Sequence, residues 1–540
     1  MITLVCVAVA LLALYLYNIR TFRYWQKRGI KHDKPVLFFG NNAQTFLLLK
    51  SKTQTAVESY WKYPDEKVVG FFRSTQPELV IRDPAIVKRI LVTDFAHFYT
   101  RGLNPHKEVI EPLMRNLVFA DGDLWRLLRQ RLTGAFTSGK LKAMFPLIVE
   151  RAEQLQGRVL LCIDQGHPID ARDLMARYTT DFIGAVGFGL NSDSLNHENS
   201  AFRKLGAKIF DIGILDGIRA VCKEAFPNLF KHVKYLKNIE QPMFDLVSSI
   251  LKDRNYEPSS RNDFIDLMLE CRKKGMMEAE SMEKFKSDGS LDTAAMELTD
   301  ELIAAQVFLF FAAGFETSSS ATSYTLHQLA FNPEVQEKVQ AEIDVVLSRH
   351  NNKLSYDAIK EMTYLECTFK EGMRMFPSVG FLIRECVRPY TIPELDVTID
   401  KGVRMVIPLQ ALHNDPKYFE DPHQFRPERF MSENTGTETR YVYLPFGEGP
   451  RACIGTRLGM MQSLAGLAAV LSRFTVSPAA TTLRYPLVEP KSAIVQSVKG
   501  GLPLLFTERK HHAGVLNSCC LHLRLTNGVK LCYIRLNCML

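Results

Sequence analysis

The segment with the most specific chemistry is residues 446–455, FGEGPRACIG, which places Cys453 just before an apolar run with helical spacing at 456–471. A cysteine that binds a metal must be an anion, and backbone N–H groups and a helix N-terminus both lower the pKa of a thiol. The glycines let the loop approach a bound group closely, and Arg451 can pair with an anionic substituent of that group. We therefore predict that Cys453 is a thiolate metal ligand.

Two other interpretations of this segment have to be weighed. Cys453 as a small buried hydrophobic side chain would be the usual role of a free cysteine. Gly447, Gly449 and Ala452 also match the GxGxxA pattern of a dinucleotide-binding turn. Pro450 lies inside that turn, however, and no acidic residue follows about 20 positions later in a strand–helix–strand unit. The metal ligand is the stronger hypothesis.

A second polar cluster lies in the middle of an apolar helix predicted from about residue 300 to 331. Gly314 and the hydroxyl cluster that runs from Thr317 through Ser320, on either side of Glu316, are poor choices for a helix interior, so either the helix is distorted for a function or packing tolerates a kink. The apolar stretch 302–315 is short for a membrane span and Gln306 interrupts it. This pattern predicts a buried central helix.

Two pairs of residues that each include an arginine have helical spacing. Glu371 and Arg374 are three residues apart, which places a carboxylate and a guanidinium on one face. Trp125 and Arg129 are four residues apart on an earlier predicted helix, where a packed aromatic with a stacked cation is an alternative to a ligand contact. Such pairs are usually exposed and are then worth at most about 1 kcal/mol.

The elements that must position these residues are mostly helical. Long helices are predicted over residues 121–347, and paired strands at 68–72 and 79–81. Further strand signals follow at 403–407 and in the last part of the chain. We predict a mainly α fold with a smaller β region in one large domain, with helix breaks near four prolines: Pro168, Pro227, Pro258 and Pro333.

Composition limits the class of protein. The 540-residue chain is 46% hydrophobic and 23% charged, which excludes a disordered chain or a fibre. Its net charge of +8 is too diffuse for a nucleic-acid surface and fits anionic lipid or an acidic protein partner. The 11 cysteines are dispersed without zinc-like spacing, which indicates a reducing compartment.

The N-terminus predicts a membrane anchor. Residues 2–17 are nearly all apolar, and six basic residues follow between Arg20 and Lys34. A cleaved secretory signal would carry its charges before the apolar run, whereas basic residues after it keep the following chain in the cytosol. The expected parts are an anchor at 1–20, a basic, turn-rich connector at 21–42, a catalytic domain at 43–510 and an atypical tail at 511–540, disordered or an artefact of the reading frame.

Residues 446–455 match in full the cysteine-loop signature of the cytochrome P450 superfamily, FxxGxRxCxG. The chain also resembles that family in its WxxxR motif at 125–129, its oxygen-binding segment at 313–318, and its ExxR motif at 371–374 with PERF at 427–430. The likeness extends over about residues 25–508. It implies the cytochrome P450 fold, a helical haem-binding domain with a small β-sheet region.

The resemblance also implies a chemistry. Haem b held by the Cys453 thiolate would insert one atom of dioxygen into a substrate, and the thiolate pushes electron density onto iron to favour O–O cleavage. Gly314 is expected to make room for dioxygen, and Thr317 and Glu316 to stabilise it and relay protons. The electrons are expected from NADPH through a membrane-bound reductase, with cytochrome b5 as a further candidate donor.

Other residues acquire expected roles from the same motifs. Glu371, Arg374 and Arg429 should form a buried network that supports the cysteine loop. Haem contacts are expected from Trp125, Arg129, Arg384, Phe446 and Arg451. The candidate substrate pocket, whose apolar members could equally be core, comprises Phe119, Leu309, Ala312, Ala313, Ser378, Val379, Ala493 and Ile494.

Segments 94–98, 136–142 and 261–264 resemble the insect sixth family of microsomal cytochromes P450. That branch mostly oxidises lipophilic foreign compounds, such as plant toxins and insecticides, at the endoplasmic reticulum. Two other functions stay open: a haem-thiolate isomerase or dehydratase, and a non-catalytic haem-binding membrane protein. The acidic face of a reductase would meet four basic residues, unless they are only a solvated helix face: Arg126, Arg131, Lys140 and Lys142.

Overall fold

The fold is known from a computed structural model. It describes residues 2–510 apart from 105, 107, 165, 190–193, 196–205, 207–214, 216–217, 220–221, 224–225, 432–438 and 493. The predicted tail at 511–540 and Ala493 of the predicted pocket lie outside the described residues.

Helices make up most of the described chain. In chain order they are α1 (Ile2–Phe22), α2 (Ala43–Phe46), α3 (Lys52–Lys62), α4 (Pro84–Lys88), α5 (Gly122–Thr133), α6 (Ser138–Ile163), α7 (Ala171–Ile183), α8 (Lys237–Asp253), α9 (Phe264–Lys273), α10 (Asp300–Phe331), α11 (Pro333–Arg349), α12 (Tyr356–Glu361), α13 (Thr363–Met375), α14 (Leu409–Leu412) and α15 (Thr456–Arg473). The predicted breaks near the four prolines fall between these helices. Pro146 and Pro242, by contrast, lie inside α6 and α8.

The strands form small sheets at the side of the helical body. They are β1 (Val68–Arg73), β2 (Gln76–Ile81), β3 (Ile169–Asp170), β4 (Met277–Phe285), β5 (Leu291–Met296), β6 (Leu382–Glu385), β7 (Tyr390–Ile392), β8 (Val397–Ile399), β9 (Arg404–Ile407), β10 (Phe474–Pro478) and β11 (Pro503–Glu508). One sheet has the order β1-β2-β9-β6, in which only the β2–β9 pair is parallel, and another has the order β10-β11-β3. The antiparallel pairing of β1 with β2 confirms the predicted strand pair.

The central element is α10, and it has the predicted bounds. Thr299 caps its N-terminus by accepting the Leu302 N–H at 3.3 Å, and Pro333 follows its C-terminus as the first residue of α11. α10 packs against α7, α13 and α15. By its length and hydropathy, α10 is the helix among the described residues that could cross a membrane. However, 61% of its apolar 18-residue stretch is buried inside the protein.

Gln306 is itself buried in this core helix. Its amide accepts the Leu117 N–H at 3.0 Å and donates to the carbonyl of Arg115 at 3.3 Å. The polar residue that interrupts the apolar stretch therefore ties the loop before α5 to α10, in keeping with the predicted buried helix.

The helical pattern predicted over residues 121–347 is interrupted by strands at two places, the short β3 and the antiparallel hairpin of β4 and β5. Polar and apolar residues alternate at the start of β4, which leaves Met277 and Ser281 buried and Glu278 and Glu280 exposed. The turn contains Asp288-Gly289, with Gly289 at φ 81°. A two-residue period with an Asp-Gly turn is a hairpin signal, and the helical interpretation overlooked it.

Candidate active site

The cysteine loop is held by backbone contacts. The Cys453 N–H donates to the carbonyl of Phe446 at 2.8 Å, and α15 starts three residues later. Gly449 has φ 75°, and a Cβ atom there would lie 2.0 Å from the carbonyl oxygen of Leu91. Only glycine allows this approach, so the loop conformation depends on the residue type at position 449.

The Cys453 side chain is solvent-accessible although it lies deep in the protein, so it faces an interior space. Burial raises the pKa of its thiol. The Gly455 N–H, the Thr456 hydroxyl and the guanidinium groups of Arg101 and Arg129 act in the opposite direction. A thiol surrounded by donors and cations but kept from bulk water suits a metal ligand, because coordination deprotonates it.

Four arginines converge beside this loop, and one of them, Arg451, forms an ion pair with Asp121. Arg451 Nη2 donates to Asp121 Oδ1 at 2.9 Å, and Arg129 Nη1 donates to the carbonyl of the residue before Cys453 at 2.8 Å. Arg101 Nη2 donates to the Arg451 carbonyl at 3.2 Å. Arg384 is buried, and Arg101 and Arg451 repel its charge.

This cluster has positive charge and hydrogen-bond donors in excess. Burial and the neighbouring Arg101 lower the pKa of Arg451 to about 9, and the same two causes lower the pKa of Arg384 well below its usual value. The buried Nε of Arg384 and the Nε and Nη1 of Arg451 have no hydrogen-bond partner in the protein. Two carboxylates, such as the propionates of haem, would satisfy these donors and offset the charge, so the residues fit that cofactor.

Aromatic side chains frame the arginines. The Arg451 guanidinium lies 4.4 Å from the centroid of the Trp125 ring, and Trp125 also packs against Phe95. Phe446 is a partly buried residue at the edge of the main core. The structure thus brings all five predicted haem-contact residues to the region of Cys453, from elements more than 300 residues apart in sequence.

Glu371 binds both Arg374 and Arg429. Arg374 forms two hydrogen bonds with the Glu371 carboxylate, at 2.8 and 2.9 Å, and Arg429 Nε donates to it at 3.3 Å. Arg429 belongs to a short 3₁₀ turn, Pro427–Phe430. The Glu371–Arg374 pair is completely buried, unlike the exposed pairs that i,i+3 spacing usually produces.

Position 314 of α10 packs against α7. A Cβ atom at Gly314 would lie 2.3 Å from the Ile183 side chain. The space that a side chain at position 314 would take is filled by protein. Helix packing is therefore an explanation for glycine at this position besides the predicted space for dioxygen. The glycine lets two helices approach closely.

The two polar residues that follow point to different neighbours. Thr317 Oγ1 donates to the Ala313 carbonyl at 2.7 Å. The buried Glu316 carboxylate is ion-paired with Arg172 of α7, which also donates to Ser319 Oγ at 2.6 Å. Any proton transfer through Glu316 must therefore involve a carboxylate that is held by a guanidinium.

Of the predicted pocket residues that the structure describes, all but Phe119 lie on α10 or on two segments that contact it, around residues 378 and 496. Ser378 Oγ donates to the carbonyl of Thr317 at 2.8 Å, and Val379 forms a β-bridge with Val495, next to Ile494. Ala313 is exposed although it lies in the middle of the core helix, so it faces an interior space, and Leu309 and Ala312 are partly exposed. Phe119 lines a small cavity with residues of the loop before α5.

Three residues of this site had no signal in the sequence. Arg101 and Asp121 lie outside the quoted motifs, and Arg172 is an ordinary residue in the first turn of α7. Each contacts a motif residue only because the chain brings distant segments together. The four basic residues predicted to meet a reductase all have partners within the chain, for example Glu280 at 3.2 Å from Arg126.

Comparison with known proteins identifies the family. Residues 31–502 match the model of the cytochrome P450 family. The chain is 37% identical to cytochrome P450 6B6 of Helicoverpa armigera, over 93% of this chain and 98% of that protein. It is 35% identical to the probable cytochrome P450 6a18 of Drosophila melanogaster, over 92% and 97%. It is 37% identical to cytochrome P450 6B1 of Papilio polyxenes, over 86% and 91%.

These matches cover nearly the whole described chain, and the helical body with small sheets fits the same fold. The chain therefore belongs to the cytochrome P450 family, as a monooxygenase of the insect family 6 type that uses haem with a cysteine thiolate ligand and electrons derived from NADPH.

Proposed function

We propose that Cys453 is the thiolate ligand of the haem and that the enzyme oxidises lipophilic foreign compounds. The observation that supports this assignment is the position of Cys453 between the start of α15 and a cluster of four arginines with unpartnered N–H groups. An anionic sulfur and two propionates would be neutralised within one site. Among the cysteines described, Cys271, Cys367 and Cys386 are buried, whereas the Cys453 side chain is accessible.

The cofactor supplies oxygen activation when it is bound, and the protein supplies ligation, protons and shape. In our proposal Arg129, Arg384 and Arg451 hold the propionates, with Arg101 as a fourth cation. Thr317 positions a proton donor with its hydroxyl, and Glu316 delivers protons from the side of α7. Glu371, Arg374 and Arg429 hold the cysteine loop in place.

The proposed substrate site is bounded by the apolar surface of α10. Leu309, Ala312 and Ala313 expose small or aliphatic surface at the middle of this helix. Phe119 lines a cavity whose described lining includes no residue of α10, so it is the least supported member of the proposed site. An apolar site with few polar groups favours lipophilic substrates and discriminates weakly among them. Plant toxins and insecticides are the classes to test first.

The test is spectroscopic and then catalytic. The reduced protein with carbon monoxide should show the red-shifted Soret band of thiolate ligation. Binding of members of a panel of plant toxins and insecticides should shift the spin state of the haem iron in the oxidised protein. Product should form only with NADPH and a reductase, and turnover without them, or no turnover of any compound that binds, would contradict the proposal.

We propose NADPH–cytochrome P450 reductase as the electron donor, with cytochrome b5 as a second donor. The basic residues offered for docking already pair within the chain, as Lys140 does with Glu270 at 2.7 Å and Lys142 with Asp357 at 3.0 Å. Such exposed pairs are weak, so an acidic partner can compete with them. The rate of haem reduction should then fall as ionic strength rises. A rate independent of salt would exclude this electrostatic docking.

We also propose that residues 1–20 anchor the catalytic domain, 43–510, to the endoplasmic reticulum membrane through the connector at 21–42. α1 has 21 residues, long enough for roughly 30 Å of hydrocarbon. The Asn18 side chain near its end accepts the Phe38 N–H at 3.2 Å. Several large apolar side chains of the following segment are exposed, namely Val36, Phe38, Phe39, Leu47 and Leu49.

These exposed side chains suggest a second contact with lipid besides α1. Deleting residues 1–20 should release the protein from membranes only in part. The same deletion combined with Leu47→Asp and Leu49→Asp should release it fully. Full retention of the combined variant would contradict the proposed anchoring.

A further inference from the structure

His413 is a fully buried histidine directly after α14, and it contacts both the Glu371–Arg374 pair and the chain that leads into the cysteine loop. Its carbonyl accepts a hydrogen bond from Arg374 Nη1 at 2.9 Å. Its ring Nε2 accepts the Leu444 N–H at 2.9 Å. One residue thus joins α13 to the segment that precedes Cys453.

The second of these contacts determines the form of the ring. A backbone amide can only donate, so the Nε2 that receives it must be unprotonated. Burial, and after it the charge of Arg374, lowers the pKa of His413 to about 3. The neutral ring therefore carries its proton on Nδ1, which has no hydrogen-bond partner within normal geometry.

From Leu444 the contacts continue to the sulfur-bearing residue. The Leu444 carbonyl accepts the Gly447 N–H at 3.0 Å, and the Phe446 carbonyl accepts the Cys453 N–H at 2.8 Å. Tyr443 packs its ring 5.3 Å from that of His413, and its hydroxyl donates to the Lys370 carbonyl on α13 at 2.9 Å. The start of the loop is therefore attached to α13 at two adjacent residues, directly at Tyr443 and through His413 at Leu444.

We infer that His413 is a positioning residue, which sets the cysteine loop relative to the buried Glu371–Arg374 pair through the acceptor nitrogen Nε2. The inference rests on the proposed role of Cys453 as the haem ligand. Without an acceptor at this point the buried Leu444 N–H has no partner, and the loop relaxes to satisfy it. The relaxed loop would hold the Cys453 sulfur less firmly in place. The bound thiolate would then be protonated to a thiol more readily.

The test compares three substitutions at one position. His413→Gln places an amide oxygen four bonds from Cα, as Nε2 is, so it keeps an acceptor for Leu444. His413→Asn places its oxygen one bond closer, where Nδ1 lies, and cannot reach. His413→Leu removes the acceptor altogether. His327→Leu is the matched control, since His327 is also fully buried and bonds a backbone group, the Leu483 carbonyl, at 2.8 Å.

The first measurement is the rate at which the reduced, carbon-monoxide-bound holoprotein converts from the thiolate spectrum to the thiol spectrum at moderate temperature. We expect the Asn and Leu variants to convert roughly tenfold faster than the wild type, as for the loss of one buried hydrogen bond. The Gln variant should stay close to the wild type, and so should the control. The second measurement, hydrogen exchange at the Leu444 amide, should rank the variants in the same order.

The outcomes separate this inference from the proposed function. A wild type without the thiolate spectrum would refute the role of Cys453. A wild type with that spectrum, but with equal conversion rates for Gln and Asn, would overturn the role of His413 alone. Because both of those variants are polar and similar in size, the comparison holds even if the Leu variant does not fold.

Discussion

Arg374 donates two parallel hydrogen bonds to Glu371, from Nε at 2.8 Å and from Nη2 at 2.9 Å, and neither side chain has accessible surface. The three remaining donors of Arg374 point to the carbonyls of His413 and Pro422, at 2.9 and 2.7 Å, and to Asn414 Oδ1 at 3.5 Å. A buried ion pair with complete hydrogen bonding tolerates no partial removal, because the partner left behind would be an unpaired charge.

Replacing one member of this pair should therefore be severe. Arg374→Ala should lower the free energy of unfolding by roughly 3–5 kcal/mol and abolish haem incorporation, measured by urea titration and by haem content. The control is Glu366→Gln on the same helix, which breaks an exposed pair with Lys370 and should cost less than about 1 kcal/mol. Full haem content in Arg374→Ala would show that the pair does not support the cysteine loop.

Replacing the proposed ligand should change the spectrum rather than the fold. In Cys453→Ser the hydroxyl is a poor iron ligand, so the red-shifted Soret band of the carbon-monoxide complex should disappear and substrate oxidation should stop. Cys162→Ser on α6 serves as a control at a partly exposed cysteine and should keep both. A Cys453→Ser enzyme with unchanged spectrum and turnover is incompatible with thiolate ligation at this position.

The hydroxyl of Thr317 should matter for proton delivery and little for binding. Thr317→Ala should keep the thiolate spectrum and the affinity for substrate. The amount of product formed per NADPH consumed should fall by up to about 10²-fold, which is the lower end of the usual contribution of a positioned proton donor. Thr322 makes the same type of hydrogen bond, to the Ser318 carbonyl at 2.7 Å. It points to a different side of α10, so Thr322→Ala should leave the coupling of NADPH to product unchanged.

The buried arginine cluster should destabilise the haem-free protein and strengthen the binding of haem. Arg384→Met removes a guanidinium that is repelled by Arg101 and Arg451, so the haem-free protein should unfold at a higher temperature. The holoprotein should lose haem to a haem acceptor several-fold faster. Arg82→Met, which removes a buried arginine bonded to the carbonyls of Pro64 and Glu66, should destabilise both forms and leave the rate of haem loss unaltered.

His413 predicts a pH dependence of stability. Its pKa in the folded protein is about 3, below the usual 6.5, so between these values the unfolded chain binds more protons. Its contribution is complete above pH 6.5 and declines as the pH falls toward 3. Relative to His413→Gln, the wild type should therefore lose stability below pH 6.5, by up to about 1.4 kcal/mol per pH unit.

The measurement for this prediction is the urea midpoint of both proteins at several values between pH 5 and 7.5. Arg374 and Glu371 face the same region and are present in both proteins, so their effects cancel in the difference. A difference that does not vary with pH would mean that His413 is accessible to protons in the folded state.

Local patterns in the sequence predicted much of the architecture. The bounds of α10, the pairing of β1 with β2 and the helix after Cys453 follow from signals within a few residues, such as a capping threonine, alternation, or a proline after a helix. The hairpin of β4 and β5 also had a local signal, its Asp288-Gly289 turn, which the helical interpretation of the region overlooked.

The motif residues around the haem site were recognisable in the same way, because the residue types and spacings at 446–455 and 371–374 are determined by contacts within one loop or one helical turn. Their surroundings were not. These surroundings are contacts between residues far apart in sequence. The separation is 350 residues for Arg101 and Arg451, 144 for Arg172 and Glu316, and 31 for His413 and Leu444.

The sequence by itself therefore determined the family, the chemistry of the candidate ligand and the main elements. Only the tertiary structure decided which charges are buried together, which side chain packs against Gly314, and which groups link α13 to the cysteine loop. The physical reason is range: helical spacing and turn geometry act between neighbours along the chain, whereas burial and unsatisfied hydrogen bonds depend on segments that become neighbours only after folding.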